Sequence, residues 1–90
     1  MEAKNLYTLQ PSQLVMYSVD WCPDCRRAKF FFKRNAISVI EVTVDNDRQG
    51  ELFVREINSG NRVVPTIIFP DGNIMVEPSA EELEAKFLKR

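Results

Sequence analysis

Histidine is absent from this chain of 90 residues, and cysteine occurs only twice, as Cys22 and Cys25. A structural zinc site normally has four cysteine or histidine ligands, so one chain cannot complete such a site here. A secreted domain of this size that depends on disulfides usually has four or more cysteines, and two thiols so close in sequence constrain little of the chain. The two cysteines therefore need another explanation.

Long apolar runs and an excess of one charge are also missing. No segment approaches the ~20 apolar residues of a membrane-spanning helix, and residues 1–13 are polar, without a secretory apolar stretch. Because 12 basic residues accompany 13 acidic ones, the net charge of -1 predicts neither a nucleic-acid partner nor a membrane partner. We expect a cytoplasmic monomer with a lead-in at residues 1–13 and one domain over 14–90.

Apolar segments alternate with turn and cap signals along the rest of the chain. Runs rich in apolar residues predict strands at residues 14–19, 38–44, 63–69 and 73–76. Helical spacing predicts helices from Pro23 to about Asn35, from near Asn46 to Asn58, and from Ser79 onward. The order is βαβαββα, which predicts an α/β fold whose mixed four-stranded sheet has helices on both faces.

Local signals add detail to three of these elements. The strand at 38–44 is partly apolar on both of its rows, so we expect it to be covered on both faces. Either Asp45 or Asn46 is the expected cap of the second helix. Ser79 and Glu82 have the spacing of a capping box, in which each side chain satisfies a backbone donor of the other.

The segment Trp21-Cys22-Pro23-Asp24-Cys25 places Cys22 at the start of the first helix. A free cysteine has a pKa of about 8.5, and a helix N-terminus in a Cys-x-x-Cys setting lowers it to roughly 3.5–7.5. We therefore expect a reactive thiolate at Cys22, with Cys25 one turn later attacking any mixed disulfide formed there. Charged neighbours of both signs should keep this fall in pKa moderate: Arg26, Arg27, Asp20 and Asp24.

Two other uses of the cysteines stay open at this point. Two chains could share a zinc ion or an iron–sulfur cluster through four thiolates, which would make the protein a metal-binding module. The cysteines could also be an inert buried pair, although the flanking tryptophan and proline place them at an exposed helix start. Dithiol redox chemistry is the favoured interpretation, and it needs neither a metal nor a tightly bound cofactor.

Pro65 opens an apolar run that otherwise predicts a strand. Proline removes a backbone donor, so it is tolerated at the first residue of a strand or on an edge strand, but not in the middle of a sheet. A cis Val64–Pro65 bond would explain the arrangement, and an ordinary edge-strand proline is the alternative.

Together these features resemble the glutaredoxins, the minimal members of the thioredoxin superfamily, over residues 14–88. "WCPDC" is similar to their active-site C-P-x-C, and "GNRVVPT" (60–66) is similar to their G-x-R-T-V-P segment. The Asp-Gly hairpin and "PSAEEL" (78–83) follow in the order typical of the bacterial mycoredoxin-type branch. The resemblance implies a minimal thioredoxin fold and a thiol–disulfide oxidoreductase that reduces mixed disulfides or protein disulfides.

The resemblance also implies roles for individual residues. Cys22 would be the nucleophile and Cys25 the resolving thiol. A cis Pro65 would face Cys22, and the backbone of Val64 would pair with the substrate backbone. Trp21 would shape the partner groove, unless it simply packs in the core.

Four further positions complete the expected substrate site. Pro23 holds the turn that presents Cys22. Asn61 and Arg62 match positions that line the groove for a low-molecular-weight thiol, although Arg62 could instead be a solvated surface charge. Ser79 begins a helix whose N-terminus could receive an anionic group, although plain helix capping explains it as well.

The sequence departs from the glutathione-specific members of the family in two places. Val76-Glu77-Pro78-Ser79 stands where those proteins carry Gly-Gly, and Asp24 replaces an aromatic or small residue and should repel anionic thiols. The expected cosubstrate is therefore a thiol of the mycothiol, bacillithiol or glutathione type, with a reductase or thiol pool for recycling. A small protein-disulfide reductant, such as an electron donor to ribonucleotide reductase, is the second enzyme hypothesis.

The first predicted helix is strongly basic. Its positive residues usually indicate a solvated face, and docking of an acidic partner is the alternative. Phe30 falls opposite the inward face of this helix, where it could contact a partner or a second copy, or pack against the N-terminal lead-in. The basic residues are Arg26, Arg27, Lys29, Lys33 and Arg34.

Overall fold

The computed structural model describes residues 7–88, and its elements follow the predicted βαβαββα order. They are β1 (Val15–Ser18), α1 (Pro23–Arg34), β2 (Ile40–Thr43), α2 (Arg48–Ile57), β3 (Thr66–Ile68), β4 (Ile74–Val76) and α3 (Ala80–Phe87). The four strands form one sheet in the order β2-β1-β3-β4. β1 is parallel to β2 and antiparallel to β3, and β3 is antiparallel to β4, so the predicted mixed sheet is confirmed.

The core lies on both faces of the sheet because side chains of a strand alternate between faces. On one face, Tyr17 of β1 packs with Val54 of α2. On the other face, Met16 of β1 packs with Phe32 of α1 and Leu83 of α3. Full burial of such side chains contributes about 1.5–3 kcal/mol each, which fixes all three helices against the sheet.

Two details of the sequence prediction are wrong. One row of the predicted strand, with Val42 and Val44, is buried, but on the other row Val39 packs against the core while Glu41 is exposed, so full coverage of both faces is wrong. The second helix is capped by neither Asp45 nor Asn46, because residues 44–46 form a short 3-10 turn before it. Asp47 is the cap instead, and its carboxylate accepts a hydrogen bond from the Gly50 N–H at 3.0 Å.

The hairpin and the last helix form as predicted. Gly72 has a φ of 93°, a left-handed conformation that glycine adopts without strain, and its N–H donates to the Phe69 carbonyl at 2.9 Å. The Ser79 hydroxyl accepts from the Glu82 N–H at 3.1 Å, and the Glu82 carboxylate accepts from the Ser79 N–H at 2.8 Å. This capping box orients α3 as it leaves β4.

The described part of the lead-in packs on the domain. Within residues 7–13 the structure contains no strand. The Tyr7 O–H donates to Asp47 at 2.6 Å, whereas Leu9 is exposed. Residues 1–6 of the predicted lead-in lie outside the described part of the chain, and the domain boundary at residue 14 stays a prediction.

Candidate active site

Cys22 occupies the cap position of α1, immediately beyond the loop that follows β1. Its backbone is extended, with φ of -89° and ψ of 122°, and its side chain makes no cap hydrogen bond. Pro23 takes the first helical position, where a missing N–H costs nothing. The half-buried thiol therefore lies at a helix N-terminus, where unpaired backbone donors and the helix dipole attract negative charge.

Cys25 lies one turn further along α1 and is completely buried. Burial raises the pKa of the Cys25 thiol, and a hydrogen bond with the Cys22 thiol raises it further, against the opposing effect of the Val19 backbone. Both cysteines are free thiols. The site thus combines a partly exposed cysteine at the helix end with a protonated, protected cysteine in the core cluster against which Cys22 packs.

The Val64–Pro65 peptide bond is cis, and it lies just before β3. Pro65 is buried, while Val64 packs against the same core cluster as Cys22. The loop is fastened by Thr66, whose hydroxyl donates to the Val63 carbonyl at 2.7 Å. Among the described residues, the backbone of Val64 takes part in no hydrogen bond.

Glu77 ties the segment before α3 to this loop. Its N–H donates to the Pro65 carbonyl at 2.9 Å. Its φ is 49°, in the left-handed region that glycine usually occupies. Glu77 belongs to the segment that stands where glutathione-specific glutaredoxins carry Gly-Gly. Its backbone nevertheless has a conformation that glycine favours.

Trp21 is 64% exposed, so the alternative that it packs in the core is wrong. Its indole N–H donates to one carboxylate oxygen of Asp45 at 2.9 Å. Arg62 binds the other oxygen of Asp45, and its Nε lies 3.6 Å from the Glu51 carboxylate. The hydrogen bond from Arg62, followed by that from Trp21, lowers the pKa of Asp45 below its usual value.

Asp45 contacts both Trp21 and Arg62, yet the sequence interpretation did not include it in the site. The sequence predicts for it only a role as a helix cap. Yet it follows β2, and Trp21 follows the adjacent parallel strand β1, so both lie at the same edge of the sheet. The rule that ligand-binding loops gather at the carboxyl ends of parallel strands could have identified it.

Arg62 is not a freely solvated charge, since two carboxylates hold it. Asn61 is exposed, and its side chain donates to the Asn58 carbonyl at 3.2 Å. The Ser79 hydroxyl is used in the capping box of α3. The structure thus joins Trp21 to Arg62 through Asp45, while the hydrogen bonds of Asn61 and Ser79 are local.

Ion pairs surround the entrance to α1. Arg27 pairs with Asp24 at 2.8 Å, and the side chain of Arg26 donates to the Asp20 carbonyl at 3.0 Å. Because Arg27 balances Asp24, the repulsion of anionic thiols expected from this carboxylate is weakened.

Metal binding within one chain has little support from the donor groups. Within residues 7–88, no three side chains of the types that usually bind metals lie close enough together to hold an ion. A site shared between two chains therefore remains the metal-binding alternative. In the same range, no helix combines the length and apolar character required to span a bilayer.

Comparisons with known proteins agree on one family. Residues 14–74 match the family model described as glutaredoxin. The chain is 41% identical over 76 residues to a Mycobacterium tuberculosis protein named as a candidate glutaredoxin, a match that covers 84% of this chain and 90% of that relative. It is 36% identical over 75 residues to mycoredoxin 1 of Corynebacterium glutamicum, covering 83% of this chain and 92% of that protein.

A solved structure supports the fold independently. The crystal structure of a wheat glutaredoxin superposes with a TM-score of 0.67 at 21% identity, covering 97% of this chain and 83% of the wheat chain. At that identity the likeness shows the fold alone, whereas the family match and the closer relatives show descent. The chain therefore belongs to the glutaredoxin family and is a thiol–disulfide oxidoreductase.

Proposed function

We propose that Cys22 is the attacking sulfur and Cys25 the resolving sulfur of a dithiol mechanism. The observation that carries this assignment is the half-buried Cys22 at the start of α1, packed against the core cluster that contains the fully buried Cys25. Cys22 as thiolate attacks one sulfur of the substrate disulfide, which breaks that bond and releases the first substrate thiol. Cys25 loses its proton and attacks Cys22, which releases the second thiol and leaves a Cys22–Cys25 disulfide.

The substrate is held by the loop that contains the cis proline. The free backbone groups of Val64 support this role, because no other part of residues 7–88 uses them. An extended substrate segment would pair with Val64, which packs against the same core cluster as Cys22, while Pro65 keeps the loop backbone in place. Trp21 and Pro23 are both exposed, and in this proposal they form the opposite wall of the substrate groove.

The cosubstrate is a low-molecular-weight thiol rather than a tightly bound cofactor. The name of mycoredoxin 1, the C. glutamicum relative, supports a thiol of the mycothiol type, ahead of the bacillithiol and glutathione types. Asn61, Arg62 and Ser79 line its path in this proposal. Because Arg62 is already bound by Asp45 and Glu51, its contribution is to shape that path more than to attract a carboxylate.

The protein acts as a cytoplasmic monomer that a thiol pool or a flavoprotein reductase returns to the dithiol form. Two cysteines so close in sequence constrain little of the chain, which fits a redox pair better than a structural disulfide of a secreted domain. Protein disulfides, including those of ribonucleotide reductase, are the second class of substrate for the same site.

A trapping experiment tests the assignment. The Cys25→Ser protein cannot resolve its mixed disulfide, so incubation with a cell extract followed by mass spectrometry should find a low-molecular-weight thiol attached to Cys22. The Cys22→Ser protein is the matched control and should carry no adduct at Cys25, which is buried. An adduct that forms on Cys25 instead would reverse the two roles, and protein adducts alone would favour the second class of substrate.

The metal-binding alternative is tested on the same preparation. A purified protein without metal and without charge-transfer absorption bands supports the enzyme. A stoichiometric metal in a dimer that loses the metal in the Cys22→Ser variant would support the shared site.

A further inference from the structure

The outer face of α1 carries an exposed aromatic side chain surrounded by positive charge. Phe30 is 63% exposed, although large aromatic side chains are usually buried. Arg26 precedes Phe30 by four residues, and Lys33 and Arg34 follow it by three and four residues. Helical residues at these spacings are neighbours on one face. The Arg34 guanidinium lies 6.0 Å from the centre of the Phe30 ring.

In the part of the chain that the structure describes, these three cations differ from their neighbours on the helix in having no ion-pair partner. Within residues 7–88, no carboxylate lies within ion-pair distance of Arg26, Lys33 or Arg34, whereas Arg27 and Lys29 on the flanks do have acidic partners. The chain as a whole has slightly more acidic than basic residues. The concentration of unpaired positive charge around Phe30 is therefore a local feature of this face and does not reflect the composition.

Phe30 also separates two surface grooves with partly apolar walls. One has a volume of about 510 Å³ and is lined on its apolar side by Phe32, Ile37 and Val39. The other has a volume of about 240 Å³; its apolar side is lined by Phe31, Ala80 and Leu88, and the charged side chains of Arg27, Arg34 and Glu84 also line it. A partner surface could insert apolar side chains on either side of the Phe30 ring while its carboxylates reach the surrounding cations.

This face is continuous with the active site. Phe30 lies seven residues after Pro23, a distance of about 10 Å along the helix axis. A bound peptide in extended conformation spans the same distance with roughly three residues. A segment bound at Phe30 can therefore extend to the Cys22 end of α1 without a long linker.

We propose that the α1 face formed by Arg26, Phe30, Lys33 and Arg34 is the docking surface for protein substrates that carry acidic and apolar residues about three positions from their reactive cysteine. The proposal rests on the thiol–disulfide exchange proposed for Cys22. Electrostatic complementarity at such a surface raises the rate of encounter and selects among partners, so its effect depends on ionic strength. The chemistry at Cys22 is unchanged by it.

Two synthetic peptides test the surface. Each has one cysteine in a mixed disulfide with 2-mercaptoethanol and a leucine three residues away, flanked by glutamates in one peptide and by glutamines in the other. The pre-reduced protein supplies both electrons in a single turnover, because its two thiols become the Cys22–Cys25 disulfide while the peptide thiol and 2-mercaptoethanol are released. The rate of peptide-thiol release is measured at low and at high salt.

We expect the glutamate peptide to react about fivefold faster than the glutamine peptide at low salt, and we expect high salt to remove most of that difference. Lys33→Glu should lower the rate of the glutamate peptide about threefold, whereas Arg48→Glu, the same charge change on α2, should leave it unchanged. Phe30→Ala should slow both peptides, and Leu52→Ala, also an exposed apolar residue, should slow neither.

Bis(2-hydroxyethyl) disulfide separates failure of the surface from failure of the reaction. This small neutral disulfide should react at the same rate with the wild type and all four variants. If it reacts but the two peptides do not differ, or if Arg48→Glu has the same effect as Lys33→Glu, the docking surface is wrong and the proposed function stands. If the wild type reduces none of the three disulfides, both proposals are wrong.

If size-exclusion chromatography shows a dimer that Phe30→Ala dissociates, this face joins two copies and the proposal of a substrate surface is overturned.

Discussion

Trp21 and Arg62 bind the two oxygens of one carboxylate, that of Asp45. This shared partner connects the residue before Cys22 to the loop that leads into cis Pro65. It explains how an indole that is 64% exposed is held in one position beside the site. The three residues belong to three different loops, and each lies next to a part of the proposed substrate groove.

The Asp45→Ala protein should release the indole of Trp21. A hydrogen bond of this kind contributes about 0.5–1.5 kcal/mol, so the ratio of held to released indole should fall about two- to tenfold. Trp21 is the only tryptophan of the chain, so fluorescence anisotropy and iodide quenching report on it directly. Anisotropy should fall and quenching should rise, and Asp45→Asn, which keeps an acceptor for the indole, should lie between the two. Equal anisotropy in all three proteins would contradict the role of Asp45.

Acid should have the same effect as removal of the carboxylate. Because Arg62 and Trp21 lower the pKa of Asp45 in the folded protein, their interaction with the charged carboxylate is complete above the ordinary value of 3.8 and is lost only as the pH falls below it. Trp21 anisotropy should therefore stay constant from neutral pH to about 3.8 and decrease at lower pH. The Asp45→Asn protein has no group to titrate there, and a matching acid transition in that variant would assign the change to another residue.

The two thiols should differ strongly in reactivity. Cys25 is buried, and burial raises its pKa, so at neutral pH it is both protonated and protected from reagents. Iodoacetamide should therefore label Cys22 about 100-fold faster than Cys25 in the native protein, since Cys25 must wait for opening of the structure. Peptide mapping by mass spectrometry measures both rates. In denaturant the two rates should converge, and a similar rate for both thiols in the native protein would contradict the proposed roles.

Glu77→Gly should stabilise the protein. Glu77 has a φ of 49°. The left-handed conformation costs an L-residue about 1–2 kcal/mol, a cost that glycine does not have. Part of this gain is offset because glycine has more conformational freedom in the unfolded chain. We expect the free energy of unfolding, measured with urea, to rise by about 1 kcal/mol. The control is Glu84→Gly inside α3, which should lower it by about 1 kcal/mol. A loss of stability in Glu77→Gly would mean that the Glu77 side chain makes an important contact.

Ser79 variants separate helix capping from substrate binding. Ser79→Ala removes the acceptor for the Glu82 N–H and should lower the free energy of unfolding by about 0.5–2 kcal/mol. Ser79→Asp keeps an acceptor at the cap and should retain most of the stability. If Ser79 only caps α3, the aspartate variant should also keep full activity with a small thiol as reductant. If it also receives an anionic group, that variant should be stable but slower with an anionic thiol than with a neutral one.

The features that depend on neighbours in the sequence could be predicted from the sequence. The order of the elements, the Asp-Gly hairpin and the capping box of Ser79 and Glu82 all follow from spacing over a few residues. So does the position of Cys22 at a helix start with Cys25 one turn later, since Pro23 marks the first helical residue. These patterns are local because hydrogen bonds within a turn or a helix join residues only a few positions apart.

Contacts between distant segments were decided only by the tertiary structure. The position of β2 at the sheet edge, which exposes Glu41, depends on how the strands are ordered. The shared binding of Asp45 by Trp21 and Arg62 depends on three loops meeting at one end of the sheet, and the unpaired cations around Phe30 depend on which carboxylates come within reach. Sequence spacing does not encode such distances, because side chains far apart in the chain are brought together only when the whole core packs.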